Sequence, residues 1–68
     1  MTEQLLTIKE AAYLLNIGTS TLRRMVWASE IGYIDLNKGG RHMMVRFTKR
    51  HLAEFLRERE AGRAANDL

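Results

Sequence analysis

The spacing of apolar residues predicts a short helix near the start of the chain. Four of them fall on one helical face, at positions i, i+3, i+4 and i+7: Ile8, Ala11, Ala12 and Leu15. At the start of this face, Thr7 and Glu10 have the types and spacing of a capping box. In such a box each side chain accepts a hydrogen bond from the backbone amide of the other residue. Asn16 tolerates the left-handed conformation that ends many helices, so we expect the helix to end near it.

A second helix with two unlike sides is predicted over about Thr19 to Glu30. The side expected to face the core carries Leu22, Met25, Val26 and Ser29. At about 100° per residue, the opposite side carries Ser20, Arg23, Arg24 and Trp27. This helix therefore has one side that suits a core and another that presents two arginines, a hydroxyl and an indole.

The pattern then changes from helical spacing to alternation. Residues 33–37 and 42–47 alternate as half-buried strands do, and Lys38-Gly39-Gly40 has the composition of the turn that joins them into a β-hairpin. We expect Met43, Val45 and Phe47 to face the core, and Met44 to be exposed on the other side.

A third helix is predicted after the hairpin. Thr48 can cap it, and it is expected to run to about Glu60 with an apolar stripe of Leu52, Phe55 and Leu56. Residues 62–68 have too little apolar content to pack, so we expect them to fray. The prediction is one domain over residues 1–61, followed by a short tail.

Composition narrows the class of protein. The sequence has 68 residues, no cysteine and 46% hydrophobic residues, which indicates one small domain without disulfides. Its short apolar runs do not fit a membrane span or a signal peptide, so a soluble, cytoplasmic protein is expected.

An enzyme is not expected. The sequence shows no nucleophile–base pair, paired carboxylates or glycine-rich phosphate loop, and so small a domain leaves few walls for a catalytic cleft. His42 and His51 are interpreted as surface groups, because without cysteine they form a poor ligand set. We therefore expect no metal, no cofactor and no small-molecule substrate.

Positive charge is concentrated in the middle of the chain. The formal net charge is +3, but residues 19–50 hold seven basic and two acidic side chains, a balance of +5. Such a zone is the electrostatic footprint of a nucleic-acid binder, while an unevenly charged solvated surface is the alternative. The order helix, turn, helix, hairpin, helix adds to this: it predicts a mainly α winged helix-turn-helix fold, with the second helix suited to a major groove and the hairpin tip to the neighbouring minor groove.

Several segments carry a family resemblance. Residues 6–14 resemble the opening of MerR-like helix-turn-helix domains, and residues 20–25 (Ser-Thr-Leu-Arg-Arg-Met) resemble their recognition-helix signature. Residues 39–47 and 52–56 are similar to the wing and closing helix of the group. Together they resemble phage excisionases, also called recombination directionality factors, most closely those of phages with actinobacterial hosts. Relatives often have a serine at the position that caps the recognition helix, where this chain has Gly18.

The resemblance implies a function. Excisionases bind repeated sites in the attachment arm of double-stranded phage DNA, cooperatively and head to tail, and bend it. They contact the tyrosine integrase, which performs the strand chemistry, and direct it toward excision. We expect a monomer in free solution. The alternatives are a small winged-helix transcriptional regulator, which usually carries a further domain, and a protein-interaction module, which leaves the basic zone unexplained.

The candidate DNA-binding residues lie on the second helix, the hairpin and the start of the third helix: Thr19, Ser20, Arg23, Arg24, Trp27, Lys38, Arg41, Arg46, Lys49 and Arg50. Arginine on a helix in the major groove can bond a guanine edge or a phosphate, and Arg41 near the turn suits a minor groove. The plain alternative for the arginines and lysines is an ordinary surface charge, or for Arg50 an ion pair with Glu54, and the alternative for Ser20 is a local helix cap. Trp27 can stack on Arg23, pack on the hairpin or lie against DNA sugars; structural packing is favoured because large aromatics are mostly structural.

Overall fold

The first helix begins and ends where the sequence predicts. In the computed structural model, which describes residues 4–61, helix α1 spans Ile8–Leu15. The Thr7 hydroxyl accepts a hydrogen bond from the Glu10 amide at 3.1 Å, and the Glu10 carboxylate accepts one from the Thr7 amide at 2.9 Å. Asn16 ends the helix with a φ of 59°. Both the capping box and the left-handed end are therefore confirmed.

Helix α2 is shorter than predicted. It spans Thr19–Trp27, so the predicted end at Glu30 is wrong. Ser29 takes a left-handed φ of 59°, and its amide donates to the Val26 carbonyl at 3.0 Å while the Glu30 amide donates to the Met25 carbonyl at 2.9 Å. These two bonds form a Schellman ending, a motif that usually has glycine where this chain has Ser29.

The two strands are also shorter than the alternation predicts. Strand β1 covers Ile34–Asp35 and strand β2 covers Val45–Arg46, paired antiparallel. Directly after β2, Phe47 pairs with Leu6: each amide donates to the other residue's carbonyl, at 2.7 and 2.8 Å. The segment before α1 is thereby joined to the segment before the third helix.

Helix α3 spans Lys49–Arg59 and begins with a reciprocal cap. The Thr48 hydroxyl accepts from the His51 amide at 3.1 Å, and the His51 Nδ1 accepts from the Thr48 amide at 3.0 Å. The interpretation of His51 as a plain surface group is therefore wrong. Its ring is half-buried and serves as the second half of the cap, a place that glutamate or glutamine usually takes.

The core lies between the three helices and the end of β2. Its buried members are Leu6, Ala11, Ala12, Leu22, Val26, Ile31, Val45, Phe47 and Leu52. Three positions expected to face the core are wrong: Met43 is 45% exposed, Leu56 is 55% exposed, and Ser29 is exposed beyond the end of α2. Met43 lies in the loop before β2 rather than in a strand, and α3 packs on the core through Leu52 and Phe55 alone of its predicted stripe.

Three helices with a small antiparallel sheet confirm the predicted fold class, a winged helix-turn-helix. The hairpin loop between β1 and β2, residues 36–44, is the wing. Across residues 4–61, no helix has the length and hydrophobicity needed to cross a membrane. The frayed tail predicted for residues 62–68 lies outside the described residues.

Candidate nucleic-acid interface

Helix α2 is held by one side and open on the other. On the side that faces the core, its Leu22 and Val26 side chains are buried and its Met25 side chain is half-buried. The opposite side is exposed as predicted: Ser20, Arg23, Arg24 and Trp27. Thr19, at the first position of the helix, is half-buried. The buried side fixes the orientation of the helix, so both arginines project from a rigid element into solvent.

The base of the wing is fixed by one carboxylate. The Asp35 Oδ1 accepts hydrogen bonds from the backbone amides of Asn37, at 2.9 Å, and Met44, at 3.0 Å. The Leu36 amide also donates to the Met44 carbonyl at 2.9 Å. Asp35 therefore ties together the two ends of a loop that has few ladder hydrogen bonds of its own.

The tip of the wing is closed by Asn37. Its side-chain amide donates to the His42 backbone carbonyl at 2.6 Å, and its backbone carbonyl accepts from the Gly40 amide at 2.7 Å. Gly39 has a φ of 83°, which glycine adopts without strain. Lys38 and Arg41 flank the two glycines and are both exposed, so the turn presents its two charges to solvent.

A groove separates α2 from the wing. It encloses about 320 Å³, with Arg23 and Trp27 on the helix side and Arg41, His42 and Met43 on the wing side; Ile8, Val26 and Val45 complete its lining. None of the described residues that line it is acidic. Two of the predicted arginines and the predicted indole are thus brought to one place.

The prediction that Trp27 is packed as a structural residue is wrong. Its side chain is 74% exposed in the groove. Trp27 therefore contributes little to the core, and the predicted structural packing does not explain why it lies in a groove with two arginines.

The remaining basic candidates lie apart from the groove. Arg46 is half-buried, and its Nη1 donates to the Val45 carbonyl at 2.8 Å. Lys49 and Arg50 are exposed in the first turn of α3. The structure thus divides the predicted set into a central group on α2 and the wing, and an outlying group around the start of α3.

Sequence reasoning missed His42 and Met43 as groove residues. Alternation placed both in a strand, with Met43 facing inward. The glycine pair and Asn37 were the available signals that the loop extends further, because these residues favour tight, non-strand backbone.

Comparison with known proteins identifies the family. The family model described as a helix-turn-helix domain matches residues 5–60, which is most of the chain. That family includes excisionase-like DNA-binding domains, and membership implies DNA binding. None of the curated proteins or solved structures with which the chain was compared matches it. The three helices, the wing and the family match lead to one conclusion: the chain belongs to the helix-turn-helix domain family.

Proposed function

We propose that this protein is a phage excisionase. It binds repeated sites in an attachment arm cooperatively, bends the DNA and directs a tyrosine integrase toward prophage excision. Its role is architectural rather than enzymatic, and the integrase performs the strand chemistry. The observation that carries the proposal is the groove between α2 and the wing, where Arg23 and Arg41 lie on facing walls of a helix-turn-helix domain.

The docking follows from the two walls. A major groove admits one helix, and α2 offers Ser20 at its N-terminal end, the end that contacts base edges in this class of domain, and Arg23 about one turn further along. The wing then lies beside the neighbouring minor groove, where the narrow negative channel attracts arginine. In this pose Arg41 enters the minor groove and Lys38 meets a phosphate.

Head-to-tail assembly needs two different surfaces that fit each other. A second cleft lies between α3 and the segment that follows α2, residues 29–33. It is lined by three acidic side chains, Glu30, Glu54 and Glu58. Its charge is opposite to that of the wing tip. We propose that the acidic cleft of one molecule lies next to the wing of the following molecule along the DNA. Each contact is small, and the DNA supplies the effective concentration.

The test is a mobility-shift titration on DNA tiles that span the gene and any nearby attachment site, at low and moderate salt. The proposal predicts a ladder of cooperative, salt-sensitive complexes on one tile. A single discrete complex on a promoter would instead identify a transcriptional regulator. Absence of binding at low salt would refute DNA binding and move the assignment to a protein-interaction module.

A charge-reversed variant separates cooperativity from binding. Glu54→Lys combined with Glu58→Lys makes the net charge more positive by four, so single-site affinity at low salt is expected to rise, while the ladder is expected to be abolished. Both positions are exposed on α3, so the change should leave the fold intact. Glu30 is left unaltered, because it forms an ion pair with Arg59 at 3.0 Å. A ladder that survives the double change would refute the acidic cleft as the assembly surface.

A further inference from the structure

Two exposed apolar side chains stand inside the basic groove. Trp27 lines its helix wall and is 74% exposed, and Met43 lines its wing wall and is 45% exposed. Arg23 and Arg41 lie on the same two walls. An apolar strip beside cations does not serve base reading by hydrogen bonds. It matches a ligand that is anionic at its edges and apolar between them.

The proposed docking determines what enters this groove. The inference rests on the proposed function, in which α2 occupies a major groove and the wing occupies the adjacent minor groove. The part of a duplex that separates those two grooves is one sugar–phosphate strand. That strand must therefore pass between α2 and the wing. It carries anionic phosphates joined by deoxyribose rings, whose C–H faces are apolar.

We propose that the groove is a saddle for one DNA backbone strand. In it the Trp27 indole packs on a deoxyribose face, Met43 covers the same sugar from the wing, and the positive charge of the two walls attracts the strand as it passes between them. The position of Trp27 supports a backbone contact rather than a base contact. It is the last residue of α2, about 12 Å along the axis from Thr19 at about 1.5 Å per residue.

A backbone contact has its own signature in binding data. It carries no sequence information, so its loss weakens binding to every duplex by the same factor. The indole is uncharged, so its loss also leaves the salt dependence unchanged. Removal of a basic side chain that neutralises a phosphate instead flattens the dependence of log K on log salt by about one unit. Trp27→Ala and Lys38→Ala are therefore distinguishable by slope.

The experiment measures fluorescence anisotropy of two labelled duplexes, the tightest tile from the mobility-shift titration and an unrelated sequence, across a range of salt. For Trp27→Ala we expect about tenfold weaker binding to both duplexes with an unchanged salt slope. A tenfold loss of affinity corresponds to the burial of part of the apolar surface of an indole. Trp27→Phe should recover part of the loss. Tyr13→Ala is the matched control, because Tyr13 is an 84% exposed aromatic on α1 that lines a different groove; its binding should equal wild type.

The native fluorescence of the protein gives a second readout. Trp27 is the one tryptophan in the sequence, so quenching by acrylamide reports on this side chain alone. Saturation with the unrelated duplex is expected to shield it. Far-ultraviolet circular dichroism and thermal unfolding of each variant confirm that the fold is kept.

The outcomes separate the saddle from the proposed function. A wild-type protein that binds neither duplex overturns both. A wild type that binds, with Trp27→Ala binding equally well or acrylamide quenching unchanged by DNA, overturns the saddle and leaves DNA binding intact. A loss confined to the tightest tile also overturns it, because Trp27 would then read a base. Equal losses on both duplexes with constant slope and shielded fluorescence support it.

Discussion

Asp35 offers the sharpest test of how the wing is held. Replacing it with alanine removes the acceptor of two backbone hydrogen bonds, from Asn37 at 2.9 Å and from Met44 at 3.0 Å. These amides lie at opposite ends of the wing, so both ends are released at once. The packing of the core beneath the wing should be kept in the variant, because Asp35 is not among the buried core residues.

The magnitude follows from the surroundings of the carboxylate. A hydrogen bond to a charged group contributes about 1.5–3 kcal/mol when water cannot replace it. Asp35 is half-buried and Met44 is exposed, so water replaces part of what is lost. We expect Asp35→Ala to cost about 1–2 kcal/mol of unfolding free energy in total, which lowers Tm by roughly 7–14 °C in a domain of this size. We also expect weaker DNA binding, because a loosened wing must be ordered on binding.

The control keeps the acceptor and removes the charge. Asp35→Asn retains an oxygen at the Oδ1 position, so most of the stability should remain, and DNA affinity should be equal to wild type or higher. The assay combines thermal unfolding by circular dichroism with hydrogen exchange of the Asn37 and Met44 amides, which should lose protection in Asp35→Ala alone. An alanine variant with the wild-type Tm and unchanged protection at both amides would refute the reasoning.

Three further substitutions test the backbone at single positions by urea or thermal unfolding. Ser29→Gly should stabilise the protein by about 0.5–1 kcal/mol, because relief of the left-handed strain at a φ of 59° exceeds the added freedom of the unfolded chain; a destabilised variant would contradict this. Gly18→Ser should add up to about 1 kcal/mol, since a Cβ there meets open space and serine supplies the missing cap; a loss of stability would mean that the cap does not form. Gly40→Ala should cost about 0.5–1.5 kcal/mol, since its Cβ would displace the Asn37 side-chain amide and its exposed hydrogen bond to the His42 carbonyl; wild-type stability would show that Asn37 moves aside freely.

Local signals explain why the helices could be predicted. The capping box at Thr7 and Glu10 acts within one turn, and the division of α2 into a buried and an exposed side follows from residue spacing alone. The arginines Arg23 and Arg24 were therefore placed correctly on an exposed helix face. The end of α2 was missed because Ser29 occupies a conformation that sequence normally signals with glycine.

The wing depends on contacts that residue patterns do not encode. Asp35 and Asn37 satisfy backbone groups of the loop with their side chains, which shortens both strands and turns Met43 outward. The pairing of Leu6 with Phe47 joins residues 41 positions apart in the sequence, and alternation in one segment cannot reveal such a partner. For the same reason the meeting of Trp27 with the wing in one groove emerged only from the structure.

The central claim is that α2 and the wing form the DNA-binding surface. The most direct test is a titration of nitrogen-15-labelled protein with a duplex that carries a single site from the tightest-binding tile, so that no second molecule binds beside the first, followed by amide chemical shifts. The account predicts the largest changes in residues 19–27 and 36–44, with little change at Tyr13 on α1 or Glu58 on α3. Changes centred on the outer face of α1 or on the acidic cleft, with α2 and the wing unaffected, would contradict it.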